Sequence, residues 1–274
     1  MDREPFGVLA GTGRLPELVL DQLEERGRPV VLGLLGDREP PERDHGLRAV
    51  RPFAPEHFGD VPDFFLEQGV TDLVMAGSVD RSLLYDDERL DRADDVVQSN
   101  LNELDSHGDE NLIETAVEVL EACGLTVRGI DEVLERYLSP EGHQAGPNPD
   151  EHQLETLESL KDVAVDLADR EVGQTILGKR GSVVAVEAAE GTNRTIRRAG
   201  RYAESGLVMV KAARTGQDYR LDVPVVGEST VSELISVNAG MLAMEAGRTL
   251  WVQQDACRRL ARENDLTIFG WQRS

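Results

Sequence analysis

The chain has 274 residues, 40% apolar and 30% charged, and its 29 basic against 52 acidic side chains give a formal net charge of −23. That length can bury one large core or two ordinary ones, and the composition excludes a disordered or collagen-like chain. The negative balance repels phosphodiester backbones and anionic bilayers, so nucleic acid is not an expected partner and membrane contact is at most peripheral.

No apolar run reaches the ~20 residues that cross a bilayer. The start, Met-Asp-Arg-Glu-Pro, lacks the basic-then-apolar layout of a secretory leader. Cys123 and Cys257 show no ligand spacing and read as buried free thiols, so the expected location is cytoplasmic. His45, His57, His107, His143 and His152 all fall in polar contexts without metal-ligand spacing and are expected at the surface.

The first half alternates strand and helix signals. Residues 6–10 form a short apolar run ending in Gly11-Thr12-Gly13, and Leu15, Leu18, Val19 and Leu23 follow at helical spacing up to Gly27. A second strand is predicted at 29–35, a helix around Phe58, Val61, Phe65 and Leu66, and a strand at 72–76 closed by Gly77-Ser78. Leu112, Ile113, Ala116, Val117 and Leu120 mark an amphipathic helix, with a strand at 125–130 after it. Such alternation implies a parallel sheet covered on both faces.

The stretch 139–150, SPEGHQAGPNPD, is the candidate linker between a domain at 1–138 and one at 151–274. Beyond it come a helix at 152–169, a hairpin around Gly178-Lys179-Arg180-Gly181 and a strand at 207–211. A helix at 231–246, a strand at 249–252, a helix at 255–264 and a strand at 266–269 complete a second α/β domain with a mixed sheet. Arg194, Arg197, Arg198 and Arg201 recur at three and four, the spacing of a solvated helix face, with an anion patch as the alternative.

Gly11-Thr12-Gly13-Arg14-Leu15-Pro16 lies at a strand-to-helix turn, where glycines and free helix amides can cradle an anion or simply turn the chain. Pro16 occupies the third glycine position of the dinucleotide fingerprint, which argues against a nicotinamide oxidoreductase. Gly77-Ser78-Val79 follows another strand and either lines a ligand site or only turns. In 211–227, KAARTGQDYRLDVPVVG, Gln217, Asp218, Arg220 and Asp222 fall within six residues of one another. Asp218 and Asp222 can share a divalent cation, and Lys211 and Arg220 can take phosphate oxygens. The competing reading is a surface loop whose Arg and Asp pair with each other. The turns at Gly173-Gln174 and Glu190-Gly191-Thr192 are individually weak signals.

Five segments together resemble the LpxI-type UDP-2,3-diacylglucosamine pyrophosphatases of lipid A synthesis. They are GVLAGTGRLP from Gly7, HGDENLIETAVEVLEACGLTVRGIDEVL from His107, REVGQTILGKRGSVVAVEAAEGT from Arg170, KAARTGQDYRLDVPVVGESTV from Lys211 and AGMLAMEAGRTL from Ala239. The resemblance implies an N-terminal Rossmann-like domain and a C-terminal α/β domain with substrate between them. It implies hydrolysis to 2,3-diacylglucosamine 1-phosphate (lipid X) and UMP with magnesium or another divalent cation, water attacking the sugar-side phosphorus. It places the essential aspartate at Asp222, with Asp218 second, and both as metal ligands. Lys211 and Gln217, in the same motif, would contact phosphates. Gly11, Thr12, Gly13, Leu15, Pro16, Gly77, Ser78, Gly173, Gln174, Glu190, Gly191 and Thr192 would line the site.

The chain departs from the family pattern at Asn193, at Glu110 and Asn111, and in the Ala-Ala-Arg after Lys211. These departures motivate the alternative of a non-catalytic or divergent nucleotide-sugar-binding protein of the same fold. Acyl chains would need an apolar groove between domains or at a homodimer interface, with Leu234, Ile235, Met241 and Met244 as candidate lining.

Overall fold

Phe6–Ala10 (β1) and Val30–Leu35 (β2) are buried at every residue, which only strands covered on both faces achieve. The computed structural model describes residues 4–78, 93–103 and 109–273. His107 and Val79 lie outside them.

The chain divides into two compact units, one of 1–134 with 218–222 and one of 135–217 with 223–274. In the first, β1 and β2 join Leu47–Phe53 (β3), Asp72–Ala76 (β4) and Thr126–Arg128 (β5). All pair parallel, in the order β3-β2-β1-β4-β5. Helices α1 (Leu15–Glu25), α2 (Asp60–Glu67), α3 (Asp95–Glu103), α4 (Asp109–Ala122) and α5 (Ile130–Val133) complete it. Leu9, Val31, Leu73 and Val127 pack with Val61 and Phe65 of α2 and Val117 and Leu120 of α4. The alternate residues Val8, Leu32 and Val74 point to the opposite face, and α1 packs on β1, β2 and β4. The chain winds outward in both directions from β1, so the β1/β4 boundary is the switch point where such sheets bind ligands.

The second unit carries a six-stranded sheet of order β6-β13-β11-β9-β7-β8. Its strands are Gly142–Ala145 (β6), Thr175–Lys179 (β7), Ser182–Val186 (β8), Val208–Lys211 (β9), Met241–Glu245 (β11) and Thr267–Trp271 (β13). β9, β11 and β13 run parallel, while β6 and the β7–β8 hairpin pair antiparallel, giving the expected mixed sheet. Val225–Val226 (β10) and Leu250–Trp251 (β12) form a separate parallel pair. Helix α6 (Glu151–Asp169), opened by an Asp150/Gln153 capping box, lays Leu157, Leu160 and Ala164 on Ile176, Val210 and Met241. On the other face, α7 (Thr192–Gly200), α8 (Glu228–Ser236) and α9 (Gln254–Glu263) cover Leu177, Met209, Leu242 and Ile268.

Several expectations change. The helix predicted at 231–246 stops at Ser236, Asn238 takes φ +50, and 241–245 becomes a wholly buried strand. Tertiary packing between β9 and β13 overrides the helical propensity of MLAME. The stretch 139–150 contributes β6 to the sheet edge, and its Ser139 is buried with its hydroxyl on the Glu245 carbonyl at 2.8 Å. Leu234, Met241 and Met244 are fully buried and Ile235 packs against the cluster that holds Leu234 and Met244, so these four build core rather than an acyl groove. Cys123 is exposed rather than buried, and His45 is only 4% exposed rather than at the surface. Arg197 and Arg198 of α7 pair with Glu233 and Glu190, in keeping with a solvated helix face.

Candidate active site

In the N-terminal unit, the two glycine turns are stitched together at the switch point. The Thr12 amide donates to the Ser78 carbonyl at 2.7 Å and the Ser78 amide to the Thr12 carbonyl at 2.9 Å. The Thr12 hydroxyl adds a third bond to the Ser78 carbonyl at 2.9 Å. A Cβ on Gly11 would lie 2.4 Å from the Ser78 carbonyl oxygen, and one on Gly77 (φ +91) 2.4 Å from that of Thr12. Only glycine permits this approach. Thr12, Gly13, Gly77 and Ser78 remain exposed. Beside them α1 begins with Leu15 and a buried Pro16, and no side chain caps its first amides. Its N-terminus therefore offers N–H donors and positive dipole to an anion. Arg38 braces the turn from the loop after β2, with a bond to the Gly13 carbonyl at 3.0 Å and an ion pair to Glu17.

The 218–222 segment also belongs to this unit. The Tyr219 carbonyl accepts from the Ile130 amide at 3.0 Å, and Leu221 packs against the α2/α4 core. Arg220 holds both oxygens of Asp218 at 2.7 to 3.0 Å and reaches Glu121 at 3.0 Å. This guanidinium keeps the Asp218 carboxyl below its ordinary value. Burial lifts nearby Asp131 above its own, with the negative charge of Asp218 adding to the effect. Asp222 is exposed.

The Asp218–Arg220 pair makes stability pH-dependent in one direction. A depressed folded value means the contribution is complete above the ordinary carboxylate range and disappears as pH falls through that depressed value. A partly exposed pair contributes at most about 1 kcal/mol. Arg220→Met should therefore melt ~2–4 °C below the parent near neutrality, and the gap should close on acidification; differential scanning calorimetry across pH 7 to 3 checks it.

In the C-terminal unit, a buried lysine organises the end of the sheet. Lys211 closes β9 at 4% exposure, and its ammonium donates to Thr175 Oγ1 at 3.1 Å and Thr192 Oγ1 at 3.3 Å. The Thr192 hydroxyl in turn donates to Glu187 Oε1 at 2.7 Å. Glu187 Oε2 is buried without a hydrogen-bond partner, 4.0 Å from the ammonium. Gly173 crosses close behind, where a Cβ would meet the Glu187 carbonyl at 2.3 Å. The Gln174 carbonyl accepts from the Ala212 amide at 3.0 Å. Gln217 Oε1 takes the Arg214 amide at 3.2 Å and Gln174 Nε2 at 3.4 Å. Gly191, at φ +79, opens α7 without a side-chain cap, while Glu190 turns back to Arg198, which lowers its carboxyl.

Gly11, Thr12, Gly13, Leu15, Pro16, Gly77 and Ser78 thus gather in one unit, and Gly173, Gln174, Thr192, Lys211 and Gln217 in the other. Asp218, Arg220 and Asp222 travel with the first unit although they continue the sequence of the second. Sequence reasoning gave no role to Thr175, Glu187 or Glu245, whose side-chain partners lie up to 36 residues away.

Of the two carboxylates expected to share a cation, Asp218 is engaged by Arg220. An ion that keeps several waters and takes one protein carboxylate plus substrate phosphates fits exposed Asp222; one needing both must part Asp218 from Arg220. Among the described residues, the group otherwise close enough for a metal is Asp21, Glu24 and His45. There the Arg43 guanidinium already sits 2.7 Å from both carboxylates.

The sequence profile described as the LpxI N-terminal domain matches residues 5–137, and that described as the LpxI C-terminal domain matches 140–269. A Caulobacter vibrioides protein named UDP-2,3-diacylglucosamine pyrophosphatase LpxI is 27% identical over 275 aligned positions, covering 96% of this chain and 95% of its own. Among solved structures, an L-amino acid ligase from Bacillus licheniformis aligns at 12% identity and TM-score 0.29, over 69% of this chain and 40% of its own. A minor L-lactate dehydrogenase from Enterococcus mundtii aligns at 15% and 0.23, over 65% and 55%. Neither structural likeness carries an argument. The two profiles together span both domains: the chain belongs to the LpxI family.

Proposed function

We propose that this protein hydrolyses UDP-2,3-diacylglucosamine to 2,3-diacylglucosamine 1-phosphate and UMP, as a cytoplasmic step of lipid A synthesis. The observation that carries this reading is family membership across both domains, supported by a full-length relative bearing that activity in its name. No helix among the described residues is long and apolar enough to cross a membrane, which suits collection of the lipid by peripheral contact.

In this reading Asp222 orients the attacking water and offers an oxygen to a divalent cation, magnesium first. The cation, when bound, screens the pyrophosphate's charge as the phosphoanhydride opens. The glycine turns at Gly11 and Gly77, with the start of α1, hold a phosphate by backbone N–H groups. Lys211 supplies a fixed positive charge whose position Thr175 and Thr192 set. Preorganised donors of this kind stabilise charge that grows in the transition state.

The test is mass analysis of the products after incubation with UDP-2,3-diacylglucosamine, with magnesium and with a chelator. UMP and the lipid 1-phosphate in equal amounts, suppressed at least about 100-fold by the chelator, are expected. Intact substrate after long incubation with magnesium would favour a binding protein and overturn the assignment. Release of UDP rather than UMP would overturn the bond assigned.

A further inference from the structure

The turn at 213–215, between Lys211 and Gln217, is held by side chains at every backbone polar group. The Ala213 amide donates to Glu245 Oε2 at 2.8 Å and its carbonyl accepts from Arg273 at 2.7 Å. The Arg214 amide donates to Gln217, and the Arg214 carbonyl accepts from Arg248. The Thr215 amide donates to Asp169 at 2.6 Å and its carbonyl accepts from Arg248 at 3.1 Å. The Thr215 hydroxyl, finally, donates to Asp169 at 2.7 Å and accepts from Arg273 at 2.8 Å.

One residue ties the two guanidinium groups together. Glu245, wholly buried at the end of β11, has Oε1 2.8 Å from Arg273 Nε and 3.2 Å from Arg248 Nε. Its Oε2 accepts from Arg273 at 3.0 Å. Cohesion alone does not need this arrangement, because well-packed apolar side chains commonly replace buried charges without loss of stability. Ala213 is buried and needs partners from the protein, but Thr215 is exposed, and water could satisfy its amide and carbonyl. Charges fix something apolar packing does not: the direction of three consecutive peptide groups. Those peptides set where Gln217 Oε1 sits, since it accepts from the Arg214 amide.

We propose that Glu245, with Arg248 and Arg273, is a positioning cluster that holds the 213–215 turn, and through it Gln217, in the geometry that turnover requires. This rests on the reading of 211–222 as the reacting segment. The three residues act through the turn. Asp169 closes it from α6.

Glu245→Gln, nearly isosteric, removes the charge that aligns both guanidinium groups; Arg248→Lys and Arg273→Lys keep charge but lose the fork. Two readouts on the full chain separate positioning from bulk stability. The first is tryptic cleavage after Arg214, whose flanking peptide groups the cluster holds. Glu245→Gln should be nicked there at least about 10-fold faster than the parent, while other tryptic sites change little. The second is UMP release, where kcat should fall by about 10- to 100-fold with KM within a few-fold and the lysine variants intermediate. Should Glu245→Gln prove unstable, Arg248→Lys, at a half-exposed position, carries the same two tests.

Unchanged nicking and kcat, both within twofold, would overturn the proposal. So would acceleration at all tryptic sites alike with full kcat per folded molecule, since the cluster would then be structural only. A parent protein inactive on the UDP-sugar would defeat the substrate assignment alone, because the nicking comparison needs no turnover.

Discussion

Asp222→Ala should lower UMP release by about 10²- to 10⁴-fold, the range over which a single proton-handling or water-orienting carboxylate acts. The protein should melt within about 2 °C of the parent, because exposed positions usually change stability by no more than ~0.5 kcal/mol and Asp222 is exposed. Asp218→Asn is the informative contrast. It takes the charge away from a carboxylate whose oxygens both bond Arg220, so it should cost measurable stability and less rate. Steady-state assays at saturating magnesium, paired with calorimetry, separate the two. Asp222→Ala with activity within twofold of the parent would remove Asp222 from the mechanism. A larger, fold-neutral loss in Asp218→Asn would move the role to Asp218, with Arg220 leaving it when substrate binds.

That one of two aspartates four residues apart is held by Arg220 while the other is exposed could not be read from their spacing. In sequence, 211–222 is one continuous motif; in space the chain passes from one unit to the other at 217/218. The cause is where apolar residues find cover, Leu221 against the α2/α4 core and Val208, Met209 and Val210 of β9 in the C-terminal core, and no local pattern reports which core a residue joins. The same limit hid Glu187 and Glu245, whose partners are distant in sequence and whose surroundings read as ordinary strand ends. The N-terminal sheet was legible because FGVLA, VVLGLL and DLVMA are near-continuous buried runs, the pattern of parallel strands. β3 was not: LRAVRPF has only Phe53 buried and breaks its apolar residues with Arg48 and Arg51, as an edge strand can. The glycine turns were legible in kind, since a close backbone approach at a switch point needs glycine. Their mutual stitching, Thr12 to Ser78, needed the sheet order.

Lys211→Met should be the most destabilising single change in the C-terminal unit's site, and a second substitution should reverse that without restoring turnover. The ammonium is buried and lies 4.0 Å from a Glu187 oxygen that has no hydrogen-bond partner. Removing it leaves a carboxylate without its countercharge, a change that costs about 3–5 kcal/mol when one partner of a buried pair is lost. For a unit of this size that is on the order of 10 °C in melting temperature. Replacing the other partner as well, in Lys211→Met/Glu187→Leu, removes the uncompensated charge and should recover most of the loss, because apolar replacement of both partners is often neutral. The assay then isolates function. If Lys211 supplies charge to a phosphate, the double variant is folded and still at least about 10²-fold slower than the parent. If it recovers turnover together with stability, Lys211 serves only the fold, and the positive charge opposite the pyrophosphate has to come from another residue. A double variant that stays as unstable as Lys211→Met would instead show that the Thr175 and Thr192 hydroxyls, not Glu187, are what the ammonium holds in place.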